Sequence, residues 1–216
     1  MHHSQSRPAL VGALALSVVA AGLWLAAAEP TAASQDLEVG KPAPLFAAAD
    51  SNGKRHALAD YRGKVVVLEW TNHDCPYTVK HYVSNNMQGL QREAATNGIA
   101  WLTVVSSAPG TQGHVTPQQA NALTKDRRAA PSAVLLDPDG VVGRAYGART
   151  TPHMYVIDRD GKLAYMGAID SLPTANPADV GRAQNYVRLA LADVAAGKPV
   201  ATPVTRPYGC TVKYMN

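Results

Sequence analysis

Apolar positions along the chain fall into short runs that predict buried strands, and the stretch between the first two runs has helical spacing. The run Val65 to Trp70 is β-branched and almost entirely apolar, which is typical of a strand buried on both faces of a sheet. A second apolar run, Ile99 to Val105, follows Gly98. The stretch between them predicts one helix from Pro76 to about Ala95. Its apolar face consists of Val79, Val83, Met87, Leu90 and Ala94. Strand, helix and strand in this order predict parallel pairing through a right-handed crossover.

Turn signals predict two antiparallel hairpins. The Asn-Gly pair at 52–53 separates Ala47–Asp50 from Lys54–Leu58, and this dipeptide favours a tight hairpin turn. Near the other end of the domain, Met154–Ile157 and Leu163–Met166 are joined by a connection too short for a crossover. The second pair must therefore run antiparallel.

Two further helices and one strand complete the pattern. Thr116 is suited to cap a short helix that runs to about Lys125. Ser132–Asp137 returns to strand, and Pro177–Ala196 has the pattern of a final helix. Because the chain combines a parallel crossover with hairpins, it predicts an α/β fold with a central mixed sheet flanked by helices.

The amino terminus has the pattern of an export signal. Arg7 precedes Ala9–Ala28, a stretch without an ionisable side chain, and small-residue sites follow at Ala26–Ala28 and Thr31–Ala33. Residues 1–33 are therefore predicted to be a signal peptide or, because the apolar stretch is long, a membrane anchor. The expected location is periplasmic or otherwise extracytoplasmic.

Composition predicts one globular domain over residues 34–196 and an extended tail over 197–216. The chain has 216 residues, of which 46% are hydrophobic, so it can bury a substantial core. Its formal net charge is only +4, and the basic residues are scattered rather than arranged in a stripe. These features exclude a nucleic-acid-binding surface. Contact with a membrane is expected only through the N-terminal segment.

The two cysteines are the main candidates for chemistry. Cys75 lies between the predicted central strand and its helix, where ligands and catalytic groups collect in α/β sheets. With Pro76 at the first helical position, Cys75 becomes the cap, so the backbone N–H groups and the helix dipole favour its thiolate. The alternatives are a small buried core residue or half of a structural disulfide. Asp74 would raise the pKa of this thiol, whereas a protonated His73 would lower it.

Cys210 is the other candidate, because an even number of cysteines in an exported chain favours a disulfide. The tail from Gly197 is long enough to reach Cys75. Cys210 is therefore predicted to resolve Cys75 as its disulfide partner, although a partner chain could supply the same geometry.

Four motifs, in this order, resemble the thioredoxin superfamily and within it the peroxiredoxin-like redoxins of the alkyl hydroperoxide reductase and thiol-specific antioxidant type. They are Val39–Pro44, Gly63–Trp70, Cys75-Pro76 and Thr151-Pro152. The resemblance implies a thioredoxin-like fold and a cis Pro152, preceded by Thr151, lying against the reactive sulfur. The residues expected to shape the site are Trp70, Asn72, His73, Thr151 and Pro152.

The chain departs from both branches of that superfamily. Asn72 stands three positions before Cys75, so the Cys-x-x-Cys dithiol of thioredoxins is missing there. Peroxiredoxins have Thr at this position and Pro at the position of Leu68. Their peroxide-polarising arginine falls on Pro152, so a peroxidase activity would need Arg149 or Asn72 to substitute.

Two other classes of function stay open. Nitrogen and sulfur donors near the predicted site suit Cu(I) or Zn(II), and thioredoxin-fold copper-delivery proteins exist, but their two clustered cysteines are missing here. The donors are His73, Cys75, His81 and His153. A non-catalytic redoxin domain that serves as a binding module is the other alternative.

The favoured hypothesis is an exported thiol oxidoreductase with one reactive cysteine, acting on disulfides or peroxides. Its expected partner is a thiol or disulfide redox protein or a small peroxide. No phosphate loop, dinucleotide fingerprint or serine triad occurs in the sequence, so no cofactor is expected and no metal site is assigned.

Overall fold

The computed structural model describes residues 1–3 and 37–215. Apart from its first three residues, the predicted signal peptide or anchor lies outside the described residues, as does the predicted start of the domain at Ser34. Within the described ranges, every helix is too short or too polar to cross a bilayer.

A mixed β-sheet forms the centre of the fold. The strands in the described part of the chain are β1 (Ala47–Asp50), β2 (Arg55–Ala57), β3 (Val66–Trp70), β4 (Ala100–Val105), β5 (Ala133–Leu136), β6 (Thr150–Thr151), β7 (His153–Ile157), β8 (Leu163–Gly167) and β9 (Cys210–Thr211). Seven of them form one sheet in the order β2-β1-β5-β4-β3-β7-β8, and β6 pairs with β9. Strand β3 runs parallel to β4 and antiparallel to β7, which confirms the predicted mixed α/β sheet.

Helices and loops cover both faces of this sheet. The helices are α1 (Pro76–Val83), α2 (Asn86–Thr96), α3 (Pro117–Asp126), α4 (Val141–Ala145) and α5 (Tyr186–Ala195), with 3-10 turns at Leu58–Tyr61 and Pro177–Arg182. On one face, α2 and α5 pack over Val67, Trp101 and Met154. On the other face, α4, the entry segment and the C-terminal tail enclose Leu68 and Trp70.

The single helix predicted over residues 76–95 is wrong, because the chain breaks between α1 and α2. Asn85 adopts a left-handed backbone with φ of 56° at the break, a conformation that asparagine tolerates better than most residues. Met87, Leu90 and Ala94 on α2 are buried as predicted, but Val83 is 60% exposed. Helix α1 instead buries Thr78, Lys80, His81 and Tyr82.

Of the other helices and hairpins predicted from the sequence, some are confirmed and one is partly wrong. Both hairpins are confirmed, and Thr116 caps α3 by accepting from Gln119 N. The helix predicted over 177–196 is wrong in its first part, because a 3-10 turn precedes α5 and its cap Asn185. Helix α4 and the pair β6 and β9 were not predicted, because segments of two to five residues carry no readable periodicity.

A buried carboxylate ties α1 and α2 to the sheet. Glu69 on β3 is completely buried and accepts hydrogen bonds from Trp101 Nε1 (2.8 Å), Tyr82 OH (2.8 Å), Thr103 Oγ1 and Gln91 Nε2 (3.2 Å each). Burial raises the pKa of this carboxyl, while the four donors act in the opposite direction. All four donors converge on one side chain, so an acceptor is required there.

We expect Glu69→Leu to lower the free energy of unfolding by about 3 kcal/mol, because N–H donors such as that of Trp101 would be buried without an acceptor. The matched control is Glu93→Leu, which removes an exposed carboxylate paired with Arg188 and should cost less than about 1 kcal/mol. Denaturant unfolding at neutral pH measures both values. Equal losses in the two variants would contradict a special role of the Glu69 network.

The raised pKa of the Glu69 carboxyl should make the stability of the protein depend on pH. Because its pKa is raised by folding, the folded state retains the proton over a pH range in which the unfolded state, with a pKa of about 4.3, has lost it. Wild-type stability should therefore contain a component that decreases as pH rises above about 4.3. Glu69→Gln lacks this component, and the difference between the two unfolding curves across pH isolates it.

Candidate active site

Cys75 is the N-cap of α1, at the end of the loop that follows β3. Pro76 occupies the first turn of the helix, as the sequence predicts. The loop is folded by Asn72, whose carbonyl accepts from Cys75 N (3.1 Å) and whose Oδ1 accepts from Asp74 N (2.9 Å). Gly113 packs against this side chain with φ of 87°, and a Cβ there would lie 2.4 Å from Asn72 Cγ. The position of Cys75 is thus fixed by backbone geometry on both sides.

The Thr151-Pro152 segment lies against the sulfur of Cys75. The peptide bond between the two residues is cis, as the resemblance implied. The Cys75 thiol donates to the Thr151 carbonyl oxygen at 3.0 Å. The segment joins β6 to β7, so the sheet itself holds it beside the start of α1.

The C-terminal tail brings the second cysteine to the same place. Cys210 lies opposite Thr151 in the antiparallel pair of β9 and β6. The backbone N–H of Cys210 donates to Cys75 Sγ at 3.4 Å, across 135 positions of sequence. Gly209 has φ of 133°, and a Cβ there would lie 2.0 Å from the Thr151 carbonyl oxygen, so only glycine permits this approach. Both cysteines are thiols in this structure.

The two thiols differ in their acidity. Burial raises the pKa of Cys75, but hydrogen bonds from the Cys210 thiol and N–H and from the Thr78 N–H outweigh it, so the net pKa is lowered. Burial and the adjacent Cys75 raise the pKa of Cys210 to about 11. Of the two thiols, Cys75 is therefore the one that ionises more readily. The helix start favours this order of acidity because Cys75, and not Cys210, is the N-cap of α1.

The two sulfurs also differ in accessibility. Cys75 is completely buried, with 0% of its surface exposed, whereas Cys210 is partly exposed. Residues Gly209 and Cys210 of the tail cross directly over the Thr151 segment that contacts Cys75. The more acidic cysteine is thus covered, and the less acidic one is partly exposed.

Of the other predicted site residues, only some contact the two cysteines. The indole of Trp70 lies in the core, where it donates to Ser106 Oγ (3.0 Å) and packs on Tyr146 and Tyr155. His73 is half-buried, with its Nε2 3.4 Å from Asp74 Oδ1. Thr151 contacts both cysteines, while the indole and imidazole have no hydrogen bond to either sulfur among the described contacts.

Neither of the two groups that could replace the peroxiredoxin arginine has a hydrogen bond to Cys75 Sγ among the described contacts. Arg149 is exposed, and its carbonyl oxygen accepts from Val212 N. The Asn72 amide donates to the carbonyl oxygen of Gln112 (3.4 Å). Among the described residues, the hydrogen-bond partners of Cys75 Sγ come from Thr151 and Cys210, not from an arginine.

The histidines considered as metal ligands are held by other partners. His153 contacts Tyr155 OH (3.0 Å), and burial lowers the pKa of this imidazole to about 3. His81 contacts the Asn86 amide (2.9 Å) and Tyr208 OH (3.2 Å). Within residues 1–3 and 37–215, no three side chains of the His, Cys, Asp and Glu types come together in a way that could hold a metal ion.

The sequence reasoning missed Thr78, which stands three positions after Cys75. A Cys-x-x-Cys motif has its second cysteine at this position, and the Thr78 backbone N–H instead helps to lower the pKa of Cys75. The Thr78 side chain is buried, and its Oγ1 has no hydrogen-bond partner among the described residues. The sequence does contain this information, because the four residues that begin at Cys75 are Cys-Pro-Tyr-Thr, with threonine at the second cysteine position of a Cys-x-x-Cys motif. This turn of α1 therefore supplies no second thiol.

Solved structures share the fold over most of the chain. A hypothetical protein from Sinorhizobium meliloti 1021 has a TM-score of 0.70 at 24% identity, covering 84% of this chain and 97% of that one. Peroxidoxin BcpB from Mycobacterium tuberculosis has a TM-score of 0.52 at 19% identity, covering 74% and 98%. At these identities the likeness shows the thioredoxin-like fold alone.

Curated relatives and a family model add information from sequence. Thiol-disulfide oxidoreductase ResA of Geobacillus thermodenitrificans (strain NG80-2) is 29% identical over 132 residues, which is 58% of this chain and 66% of that protein. ResA of Geobacillus kaustophilus (strain HTA426) is 27% identical over the same shares. The chain thus spans slightly less than two thirds of these relatives. The model of the AhpC/TSA family matches residues 39–166. Because that match covers more than half of the chain, from the entry segment through Cys75 and Pro152 into β8, this protein belongs to the AhpC/TSA family.

Proposed function

We propose that this protein is an exported thiol-disulfide oxidoreductase in which Cys75 and Cys210 alternate between a dithiol and an intrachain disulfide. The observation that carries the proposal is the contact between the two residues, with the Cys210 N–H 3.4 Å from Cys75 Sγ across the β6 and β9 pair. The names of the curated relatives support the same reaction class.

The reaction follows from the difference between the thiols. The Cys75 thiolate attacks one sulfur of a substrate disulfide, and the departing thiolate takes a proton. Cys210 then loses its proton and attacks Cys75 Sγ in the mixed disulfide, which releases the second substrate thiol. The sum converts one substrate disulfide and the two protein thiols into two substrate thiols and the Cys75–Cys210 disulfide.

Accessibility determines how each half of the cycle proceeds. Because Cys75 is completely buried under the tail, a protein disulfide reaches it only when residues 209–211 lift from β6. In the oxidised protein, a reducing thiol would attack Cys210, which is partly exposed. Cys75 is then the leaving group, and its lowered pKa favours that departure. Electrons thus enter through Cys210 from a redox partner protein.

A small peroxide is the second candidate substrate. The family match favours it, and a peroxide is small enough to reach a covered sulfur. The site offers less to polarise the peroxide, because the described partners of Cys75 Sγ are the Thr151 carbonyl and Cys210. We therefore place disulfide exchange first and make peroxide reduction an arm of the test.

The proposal predicts that oxidised glutathione, added to the reduced protein, forms a Cys75–Cys210 bridge that mild dithiols reverse without unfolding. Disulfide reductase activity should fall at least 100-fold in Cys75→Ser and Cys210→Ser. Cys210→Ser should accumulate a mixed disulfide on Cys75. Peptide mapping without reductant, with circular dichroism on the same samples, measures these outcomes, and hydrogen peroxide replaces glutathione in a parallel arm.

A bridge that yields only on unfolding would identify a structural disulfide, since closing a loop of this length contributes up to about 5 kcal/mol. A faster reaction with peroxide than with glutathione, followed by the same bridge, would favour the second candidate. Cu(I) bound at stoichiometric amounts by the reduced protein would favour a metal carrier. Thiols that stay reduced in all arms would identify a binding module.

The acidity of Cys75 should depend on the donor at position 210. We expect a pKa for Cys75 below the ordinary thiol value of about 8.5, read from the ultraviolet absorbance of its thiolate. Cys210→Ala removes the side-chain donor and should raise this pKa, whereas Cys210→Ser keeps a hydroxyl donor and should raise it less. If both variants give the same pKa as the wild type, hydrogen bonding from residue 210 is not the cause.

Export is the part of the proposal that rests on the sequence of residues 1–33. Expression of the full chain in a bacterial host should give a periplasmic product that begins near Glu29 or Ser34 by intact-mass spectrometry, or a membrane-held product of full length. The control replaces Leu16, Val18 and Val19 with Asp and should remain in the cytoplasm. A wild-type product that stays soluble in the cytoplasm at full length would contradict export.

A further inference from the structure

Tyr208, two residues before Cys210, enters a buried group of charged and polar side chains beside α1. Lys80 is completely buried, and its Nζ donates to the Leu172 carbonyl oxygen at 2.8 Å. Asp170 Oδ2 lies 3.2 Å from the same Nζ, and this carboxylate is also buried. We name Lys80, His81, Asp170 and Tyr208 the Lys80 cluster. The reaction steps above do not use it.

The hydroxyl of Tyr208 contacts every other member of the cluster. It donates to Asp170 Oδ1 at 2.5 Å and lies 3.4 Å from Lys80 Nζ and 3.2 Å from His81 Nε2. The Asn86 amide donates to the other imidazole nitrogen, so His81 Nε2 carries the hydrogen and donates to the hydroxyl. The tyrosine thus supplies one donor and accepts from two groups.

A buried ion pair needs such partners. Removing a lysine and a carboxylate from water costs several kcal/mol for each ion, and additional hydrogen bonds offset that cost. Tyr208 gives the Asp170 carboxylate a hydrogen bond, and its ring lies edge-on to Tyr77 and 5.4 Å from Lys80 Nζ. The cluster therefore favours the tail in its docked position.

The cluster and the reactive cysteine are on the same helix. Cys75 caps α1, and Lys80 is five residues further on, about 7.5 Å along the axis. On the other side of Cys210, the Val212 N–H donates to the Arg149 carbonyl oxygen at 3.0 Å, and Tyr214 OH donates to that of Ala148 at 2.7 Å. The tail is thus held on both sides of Cys210, by Tyr208 at α1 and by Val212 and Tyr214 beside β6.

We propose that Tyr208 is a positioning residue, which holds the reduced Cys210 against Cys75 by docking its hydroxyl in the Lys80 cluster. The proposal rests on the dithiol cycle proposed above. Docking raises the effective concentration of one thiol at the other, so the bridge forms at a smaller cost in chain entropy. The equilibrium concerned is two protein thiols and one oxidised glutathione giving the Cys75–Cys210 disulfide and two reduced glutathione molecules.

The test compares Tyr208→Phe with Tyr61→Phe in glutathione buffers of graded ratio. Tyr208→Phe removes the hydroxyl and keeps the ring against Tyr77, so the core packing stays. Tyr61→Phe removes another phenol hydroxyl that is hydrogen-bonded, in this case to His56 at 2.6 Å, outside the Lys80 cluster. We expect Tyr208→Phe to lower the equilibrium constant for bridge formation about tenfold, a shift of about 30 mV, and Tyr61→Phe to change it less than twofold.

A second measurement follows the reduced proteins. A bulky maleimide should label Cys75 at least tenfold faster in Tyr208→Phe than in the wild type, because the covering tail is released more often. Thermal unfolding of each reduced variant separates this effect from general destabilisation, since Tyr61→Phe should lose stability without gaining reactivity. Asp170→Asn, which keeps an acceptor for the hydroxyl, should fall between Tyr208→Phe and the wild type in labelling rate.

The outcomes distinguish the two proposals. A wild-type bridge at equilibrium with glutathione, together with an unchanged constant and labelling rate in Tyr208→Phe, overturns the positioning role and leaves the proposed function intact. A wild type that forms no bridge overturns both. Equal shifts in Tyr208→Phe and Tyr61→Phe would assign the effect to stability and also overturn the positioning role.

Discussion

The antiparallel pairing of Thr150–Thr151 with Cys210–Thr211 is the constraint on which the site depends. It brings a backbone N–H and a thiol from the end of the chain to a sulfur 135 positions earlier. Without it, Cys75 would lose the Cys210 donors that help to lower its pKa and would have no second thiol beside it. Gly209 makes the pairing possible, because any side chain there would overlap the Thr151 carbonyl.

This pairing brings a second thiol to Cys75, which has none in the sequence next to it. In a Cys-x-x-Cys motif one helical turn carries both thiols, whereas here that turn ends in Thr78 and the second thiol comes from the tail. A thiol on a tail can move away, which a thiol inside a helix cannot do without unwinding it. The pairing of the tail with β6 therefore both covers Cys75 and leaves Cys210 partly exposed.

Helix α1 shows why burial of polar groups matters for this arrangement. An ordinary amphipathic helix would place apolar residues inward, but α1 exposes Val83 and buries Lys80 and His81. Tyr208 and Asp170 satisfy the buried groups, and both lie in segments after β8. The stability of the helix that carries Cys75 is therefore linked to the segments that carry Cys210.

The sequence by itself determined the sheet, the crossover unit, both hairpins and Cys75 at a helix start, because apolar runs, Asn-Gly and Cys-Pro act through local sterics and periodicity. It could not determine the break at Asn85 or the inward face of α1, because the energy of burying Lys80 depends on partners distant in sequence. It also could not determine that Trp70 belongs to the core while Tyr208 reaches the Lys80 cluster. A two-residue strand has no periodic signal, so only the tertiary structure decided that the tail pairs with β6 and carries Cys210 to Cys75. Long-range pairing of this kind depends on the shape of the completed sheet, which no local pattern encodes.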